Sequence, residues 1–317
     1  MPALIFRARM LPVPSPTPPA VTTDPAPQYP ADPATSRAAT DPDRTMTPTG
    51  SLAGRVALVT GAGHGLGAAI ATRLARAGAR VALAARSADE LDALARALAA
   101  EGGVALPVPC DVTSADSLEA AVDAVEAALG PLDLMVNNAG DGAVPGPVWE
   151  ADPARWWRAF EVNLLGVFLG TRAALRRMVP RGGGRVVNVS SRAGNVAIPY
   201  SSAYATSKCA VTRLTEIVAA EARPHGISVF ALEPGTMRTA MTERLIASDA
   251  GRTWLPWYVA TFDEGRDVGP EEAAALVERL ARGDADALSG RFVSRADDLD
   301  ALLASANGER RVLRLTP

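Results

Sequence analysis

The sequence predicts one doubly wound α/β domain over residues 51–300, a seven-stranded, mostly parallel sheet with helices on both faces. Three observations carry this prediction. From Arg55 onward, short and almost continuously apolar runs alternate with longer Ala/Leu/Arg-rich stretches of helical period. Strands apolar on both faces belong in a parallel sheet covered on both sides. A glycine cluster, Thr60-Gly61-Ala62-Gly63-His64-Gly65-Leu66-Gly67, falls between the first such run and the first helical stretch. Residues 1–50 hold 12 of the 25 prolines and no periodic apolar pattern, so the core must lie beyond them.

Taken in order, the first 50 residues cannot bury enough apolar surface to offset their ordering entropy and read as a disordered tail. Their four Arg and four Asp cancel, which argues against an electrostatic tether. Met46 is a candidate start, and a chain beginning there is expected to fold and turn over unchanged. Strands are expected at 55–60, 80–85, 104–109, 132–137, 185–190, 227–232 and 291–293, where Val, Ile and Leu dominate. Helices fill the intervals at 66–77, 88–101, 115–129, 153–180, 202–223 and 270–282. Between the sixth strand and the last helix, residues 240–268 carry Trp254, Trp257, Tyr258 and Phe262 within nine positions. An aromatic segment beyond the carboxyl end of a strand suits a lid over an apolar substrate, or packing against the body. Gly142, Pro145 and Gly146 form a second rim after the fourth strand, and residues 301–317 read as a C-terminal tail.

Composition excludes several functions. A formal net charge of −3 provides no basic field for nucleic acid or an anionic membrane. Cys110 and Cys209 lack disulfide, redox or metal spacing, and two histidines make a His-based metal site improbable. No apolar run approaches the roughly 18–20 residues of a membrane span. Leu4-Ile5-Phe6 is too short for a signal-peptide core. The cytoplasm is the expected location.

Lys208 is the only lysine; the other 31 of the 32 basic residues are arginines. Arginine replaces lysine on solvated surfaces but cannot reproduce a compact ammonium with three rotatable donors. Lys208 follows Tyr204 by four residues, so on a helix the two share a face. A neighbouring cation favours phenolate and is expected to pull the Tyr204 pKa down from about 10, towards a useful general acid/base.

The glycine cluster permits close backbone approach to a pyrophosphate at a helix N-terminus, where N–H groups and the dipole favour anions. Its spacing is T-G-x-x-x-G-x-G. With Tyr204-x-x-x-Lys208 downstream, it resembles the short-chain dehydrogenase/reductase family, whose Rossmann-like fold matches the prediction above. Further matches follow in order: Asp111-Val112, Asn137-Asn138-Ala139-Gly140, Asn163, Ser190-Ser191 and Pro234-Gly235. The resemblance covers roughly residues 52–295. Three of the six asparagines, Asn137, Asn138 and Asn163, occupy its motif positions.

The resemblance implies hydride transfer between a nicotinamide and a small-molecule carbonyl or alcohol, with Tyr204 moving the proton at oxygen. It implies that Lys208 tunes Tyr204 and binds the nicotinamide ribose, and that Ser191, thirteen residues before Tyr204, orients the substrate oxygen. Ser190 is the weaker choice, because adjacent strand residues face opposite sides. Asn163 resembles a helix asparagine whose backbone carbonyl holds a relay water; a buried amide bridging a helix irregularity is the other reading. The implied cofactor contacts are Gly61, Gly63, His64, Gly65, Leu66 and Gly67 in the loop, Asp111 at the adenine with Val112 beside it, and Asn137 at the adenine ribose. Ala139 and Gly140 join them, although Asn138 and Gly140 serve mainly to brace the central strand. Pro234, Gly235, Met237 through its backbone and Thr239 through its hydroxyl complete the set, with Tyr204 and Lys208. Arg86 follows Ala85, where an acidic residue would repel a 2′-phosphate, so NADP is expected over NAD. A homo-tetramer or homo-dimer is expected by analogy alone. Two alternatives use the same fold: a non-catalytic dinucleotide sensor, and a sugar-nucleotide epimerase or dehydratase.

Overall fold

Val56–Thr60 forms β1, five residues buried on both faces, and the glycine cluster turns it into α1, Gly65–Arg76. The computed structural model describes residues 52–306. The chain continues through β2 (Arg80–Ala85), α2 (Ala88–Ala100), β3 (Val104–Pro109), α3 (Ala115–Leu129) and β4 (Leu134–Asn137). After α4 (Pro153–Phe160), a π-helical turn (Glu161–Leu165) and α5 (Gly166–Arg181) come β5 (Gly184–Val189), α6 (Ser202–Ala222) and β6 (Ile227–Glu233). The last elements are α7 (Ala240–Ala247), α8 (Asp249–Trp254), α9 (Pro256–Asp263), α10 (Glu271–Arg282), β7 (Phe292–Ser294) and α11 (Leu299–Ala306).

The sheet has the order β3-β2-β1-β4-β5-β6-β7, and every pairing is parallel. The connections leave β1 towards β2 on one side and reach β4 on the other, so their helices diverge there. That switch point opens a crevice beyond the carboxyl ends of β1 and β4. Strand alternation feeds two cores. Ala57 and Val59 face α1 and α10, where Ile70, Leu74, Val277 and Leu280 are fully buried. Val56 and Leu58 face α3 and α5, against Leu118, Val122, Val125 and Met178. Each such large aliphatic side chain contributes about 1.5–3 kcal/mol on leaving water. Across the α1–α10 seam, the buried Glu278 carboxylate pairs with both Arg73 and Arg282.

Three expectations need correction. The helix expected at 153–180 is interrupted at the π-helical turn, where Asn163 is fully buried and bonds outside its own helix. The segment 240–268 holds three helices of six to eight residues, too short for two turns of apolar period to reveal. Their starts are instead marked by caps: Thr239 in a capping box, Ser248 accepting from Gly251 N, and Pro256 opening α9. The domain also runs past residue 300, because Leu302 and Leu303 of α11 pack on the core. The expected N-terminal tail and the end of the C-terminal tail lie outside the described residues.

Candidate active site

The glycine cluster lies at the switch point. Gly61 adopts φ +64°, and a Cβ there would stand 2.9 Å from both the Asn138 amide and the Ala139 Cα. A Cβ on Gly67 would collide with the Gly61 carbonyl, so the first turn of α1 packs directly on the loop. His64 is the N-cap of α1 without any side-chain cap bond, which leaves the first amides of that helix unclaimed by a side chain. Leu66 is buried beneath the loop, and Gly65 faces the Thr239 methyl. A cradle with no room for side chains, at the amino end of a twelve-residue helix, fits a dinucleotide pyrophosphate.

Asn138 fixes that cradle. Its Nδ2 donates to the Thr60 carbonyl at 2.9 Å and to the Gly61 carbonyl at 3.2 Å, while the Thr60 hydroxyl accepts from Asn138 N and Ala139 N. Asn137 does something else. Its side chain is buried under the sheet, donating to Thr171 Oγ1 at 3.1 Å and to Asn188 Oδ1 at 2.8 Å; Asn188 in turn donates to Thr215 Oγ1. Gly170, where a Cβ would collide with the Asn137 amide, makes room for this ladder. Strand alternation thus turns the Asn137 side chain towards α5, and its backbone alone lies at the carboxyl end of β4.

Just beyond β3, Asp111 Oδ1 accepts from Thr113 N at 2.9 Å and from Thr113 Oγ1 at 2.8 Å. These bonds hold its carboxyl below the usual carboxylate range, with Arg158 and Arg86 adding nearby positive charge. Arg86 itself is exposed just past β2. Val112 packs on Gly166. On the opposite rim, Pro234 and Gly235 turn the chain out of β6, and the buried Met237 lends its carbonyl to the Thr242 hydroxyl at 2.9 Å. The Thr239 hydroxyl accepts from Thr242 N at 3.3 Å, so it caps α7 in this structure rather than standing free. Gly140 sits between the Asn163 side chain and the Met241 methyl.

The four residues of the expected tetrad come together at the carboxyl edge of β5. Ser191 lies two residues beyond that strand, its hydroxyl accepting from Ala193 N at 3.2 Å and standing within hydrogen-bonding reach of Tyr204. Ser190 points the other way and is buried against Thr212 Oγ1 at 2.8 Å. Lys208 lies one turn after Tyr204 on α6, with Nζ 5.8 Å from the Tyr204 ring centroid and donating to the Val189 carbonyl at 2.8 Å. Asn163 grips the β4–α4 loop from the π-helical turn: Oδ1 accepts from Asp141 N at 2.7 Å and Nδ2 donates to Asp141 O at 2.9 Å.

The titration behaviour differs from the sequence expectation. Tyr204 keeps part of its ring accessible, but burial of its hydroxyl pushes the pKa up, the Ser191 hydrogen bond opposes this, and the charge of Glu233 adds to it. Burial also lowers the Lys208 ammonium to about 8. Burial dominates at both residues, so Tyr204 moves away from phenolate rather than towards it.

The described chain matches the family model for short chain dehydrogenases over residues 55–250. It belongs to that family. Among similar proteins, gluconate 5-dehydrogenase of Gluconobacter oxydans is 39% identical over 205 residues, 65% of this chain and 80% of that one. A gluconate 5-dehydrogenase from Burkholderia cenocepacia, solved in complex with NADP and tartrate, superposes with a TM-score of 0.69 at 33% identity, covering 77% of this chain and 94% of that one. An NAD+-bound xylitol dehydrogenase gives 0.70 at 30% identity, with 77% and 98% covered. This short-chain dehydrogenase is an NAD(P)-dependent oxidoreductase that moves a hydride between a nicotinamide and a carbonyl or secondary alcohol.

Sequence reasoning missed several residues around the site. Ser207 joins Asn163 to Tyr204, Met241 closes over Gly142, and the Tyr200 and Trp254 rings pack in a tilted arrangement with centroids 4.8 Å apart. Glu233 was legible only as the residue before Pro234-Gly235.

Proposed function

We propose that this short-chain dehydrogenase is an NADP(H)-preferring ketone reductase/alcohol dehydrogenase in which Tyr204 is the general acid/base. The observation that carries the reading is the convergence on Tyr204 of Ser191 and the buried Lys208, whose Nζ lies 5.8 Å from the Tyr204 ring centroid. Bound nicotinamide supplies or accepts the hydride at the carbinol carbon. Ser191 holds the substrate oxygen, and Tyr204 gives that oxygen its proton in reduction or takes it in oxidation. Lys208 anchors the nicotinamide ribose, and Asn163 positions the end of the relay that restores the Tyr204 proton. Gly61, Gly63, Gly65 and Gly67 admit the pyrophosphate, with Asp111 at the adenine.

The NADP preference rests on Arg86. It is exposed, joins Arg158 in the positive field beside Asp111, and follows Ala85 where an acidic residue would repel a 2′-phosphate. Glu90 packs against Gly63 and places a negative charge on the same loop. Arg86→Ala is expected to weaken NADPH binding about ten- to a hundredfold and leave NADH almost unchanged, the scale of one charge-assisted contact. Glu90→Gln should shift the ratio the opposite way. Equal use of both cofactors by the wild type would refute the assignment to Arg86.

The substrate side is aromatic and thioether-rich. Tyr258 of α9 is close enough to sense charge on Tyr204, Trp254 packs beside Gly146 and Tyr200, and Met241 lies against Gly142. These walls support an apolar carbonyl compound, in agreement with a lid over 240–268. Trp157, Leu165, Phe168 and Ile217 stay exposed on α4, α6 and the segment between them, which supports a homo-oligomer formed through those helices. Among the described residues no helix is long and apolar enough to cross a membrane. A cytoplasmic location is part of the same reading, supported by the free thiols of Cys110 and Cys209. The test is a carbonyl and alcohol panel run with both nicotinamide cofactors: turnover of apolar ketones with NADPH supports the proposal, and no turnover of any carbonyl refutes it.

A further inference from the structure

Among the described residues, Ala143 and Tyr200 are the two non-glycine residues in the left-handed region, at φ +57° and φ +66°. They lie on the two loops that border the cleft. Ala143 sits in the β4–α4 loop, its N–H donating to Asp141 Oδ1 at 2.7 Å. Tyr200 is the third residue of a turn from Ile198 to Ser201, closed by Ser201 N donating to Ile198 O at 3.2 Å, with Pro199 second. A turn with proline second and a positive φ third calls for glycine or asparagine there, because a Cβ crowds the backbone. Glycine would build the same turn; tyrosine is the more strained choice and adds only a ring. Burial in the core does not offset that strain, since Tyr200 is 41% exposed.

Contacts on both sides tie the ring to the site. Tyr200 O accepts from Gly146 N at 2.8 Å, and the ring meets Trp254 of α8 with centroids 4.8 Å apart and planes at 38°. Trp254 in turn lies beside Gly146. At the inner end of the same loop, Met241 packs on Gly140 and Gly142, and the Asn163 side chain holds Asp141. Asn163 reaches the Tyr204 carbonyl through Ser207. Loop, lid and α6 thus enclose one cleft, and Tyr200, four residues before Tyr204, stands at its exposed edge. Val144, 61% exposed, lies between the two loop glycines that Met241 and Trp254 touch, and Val196 is exposed on the Tyr200 loop.

We propose that Tyr200 is a specificity-determining residue: the left-handed turn aims its ring so that, paired with Trp254, it receives the flat apolar body of an aryl ketone whose carbonyl lies at Tyr204. The inference rests on the reading of Tyr204 as general acid/base and narrows the substrate to ketones that carry an aromatic ring. Backbone strain of this kind gathers at ligand clamps, where the surrounding structure over-determines the conformation. An aromatic substrate laid on the open face of Tyr200 buries that face and the rim valines, which a small ketone cannot do.

The test is kcat/KM of the intact chain with butanone, acetophenone and acetylnaphthalene. In the wild type it should rise along that series. Tyr200→Ala should lower it about tenfold for the two aryl ketones, mainly through KM, and far less for butanone, the scale of one lost aromatic contact. Tyr200→Phe should retain the wild-type selectivity, because the ring and not the hydroxyl carries it. Tyr200→Gly should show the same kinetic pattern as Ala with a melting temperature about 2 °C higher, because glycine relieves the turn; it serves in place of Ala should that variant not fold. A uniform fall across the three ketones, a Phe variant as unselective as Ala, a Gly variant that melts no higher than Ala, or a wild type without preference for the aryl ketones would overturn the inference. Tyr204→Phe separates it from the underlying reading: normal turnover there defeats both, whereas lost turnover there with a uniform effect of Tyr200→Ala defeats the role of Tyr200 alone.

Discussion

Asn163 Nδ2 donates to Ser207 Oγ at 2.9 Å, and that hydroxyl donates in turn to the Tyr204 carbonyl at 2.7 Å. The π-helical turn and α6 are thereby stitched together one residue from Lys208. A π-helical turn releases a backbone carbonyl from its usual partner, and such turns gather at functional sites. Asn163→Leu removes three hydrogen bonds from a fully buried position. Each costs roughly 1–3 kcal/mol when its partner is left buried and unpaired, so the melting temperature should fall by several degrees. We expect kcat to drop by more than tenfold with KM less affected. Equal loss in kcat and in folded fraction alone would reduce Asn163 to a structural role.

Lys208 separates stability from activity. Its pKa of about 8 lies below the unfolded value, so the native state binds fewer protons between roughly pH 8 and 10.5. Stability therefore bears the full penalty of a buried ammonium below pH 8 and recovers as pH rises through that window. Lys208→Met should raise the melting temperature at pH 7, with the difference from wild type shrinking towards pH 10, while abolishing turnover. Lys208→Arg should also be nearly inactive, because a guanidinium cannot occupy an ammonium site that donates to Val189 O at 2.8 Å. Thermal melts across pH 7–10 decide the first claim and steady-state assays the second.

Glu278 tests the seam between α1 and α10. Its carboxylate is buried, while Arg73 and Arg282 are partly exposed. Solvent screens the two guanidiniums, so the cost of Glu278→Gln is about 1–3 kcal/mol rather than the larger penalty of a fully enclosed pair. Denaturant unfolding should show that loss with kcat/KM of the folded protein unchanged, since Arg73 lies in the last turn of α1 and the glycine loop at its start.

The aromatic walls make a substrate-dependent prediction. Trp254 packs at a tilt against Tyr200, whose backbone carbonyl accepts from Gly146 N at 2.8 Å, so one ring joins the lid to both loops beneath it. Trp254→Ala or Trp257→Ala should raise KM for bulky apolar ketones more than for small ones. A uniform effect across sizes, or a change of oligomeric state instead, would assign these residues to packing.

Much of this molecule was legible in its sequence. The strands appear because parallel strands buried on both faces are written as unbroken apolar runs, and Val56–Thr60 is an example. The tetrad appears because Tyr204 and Lys208 differ by one helical turn. What the sequence hid was set by tertiary contact. Asn137 carries the same motif whichever face it takes, and only the pleat decides that it meets Asn188. The break at Asn163 comes from bonds to Asp141 and Ser207, residues 22 and 44 positions away. The Tyr204 pKa is pushed up rather than down because burial, which no local spacing encodes, outweighs the Ser191 hydrogen bond.

The solitary lysine has a chemical corollary. Arginine supplies every other side-chain cation, so amine-directed reagents meet a single side-chain target in this protein, the α-amino group aside. That amine is half uncharged near pH 8 and thus nucleophilic under mild conditions, although enclosed. A small acylating reagent would act here as a site-specific reporter: one mass increment on one peptide, read alongside loss of turnover, measures how open the cleft is.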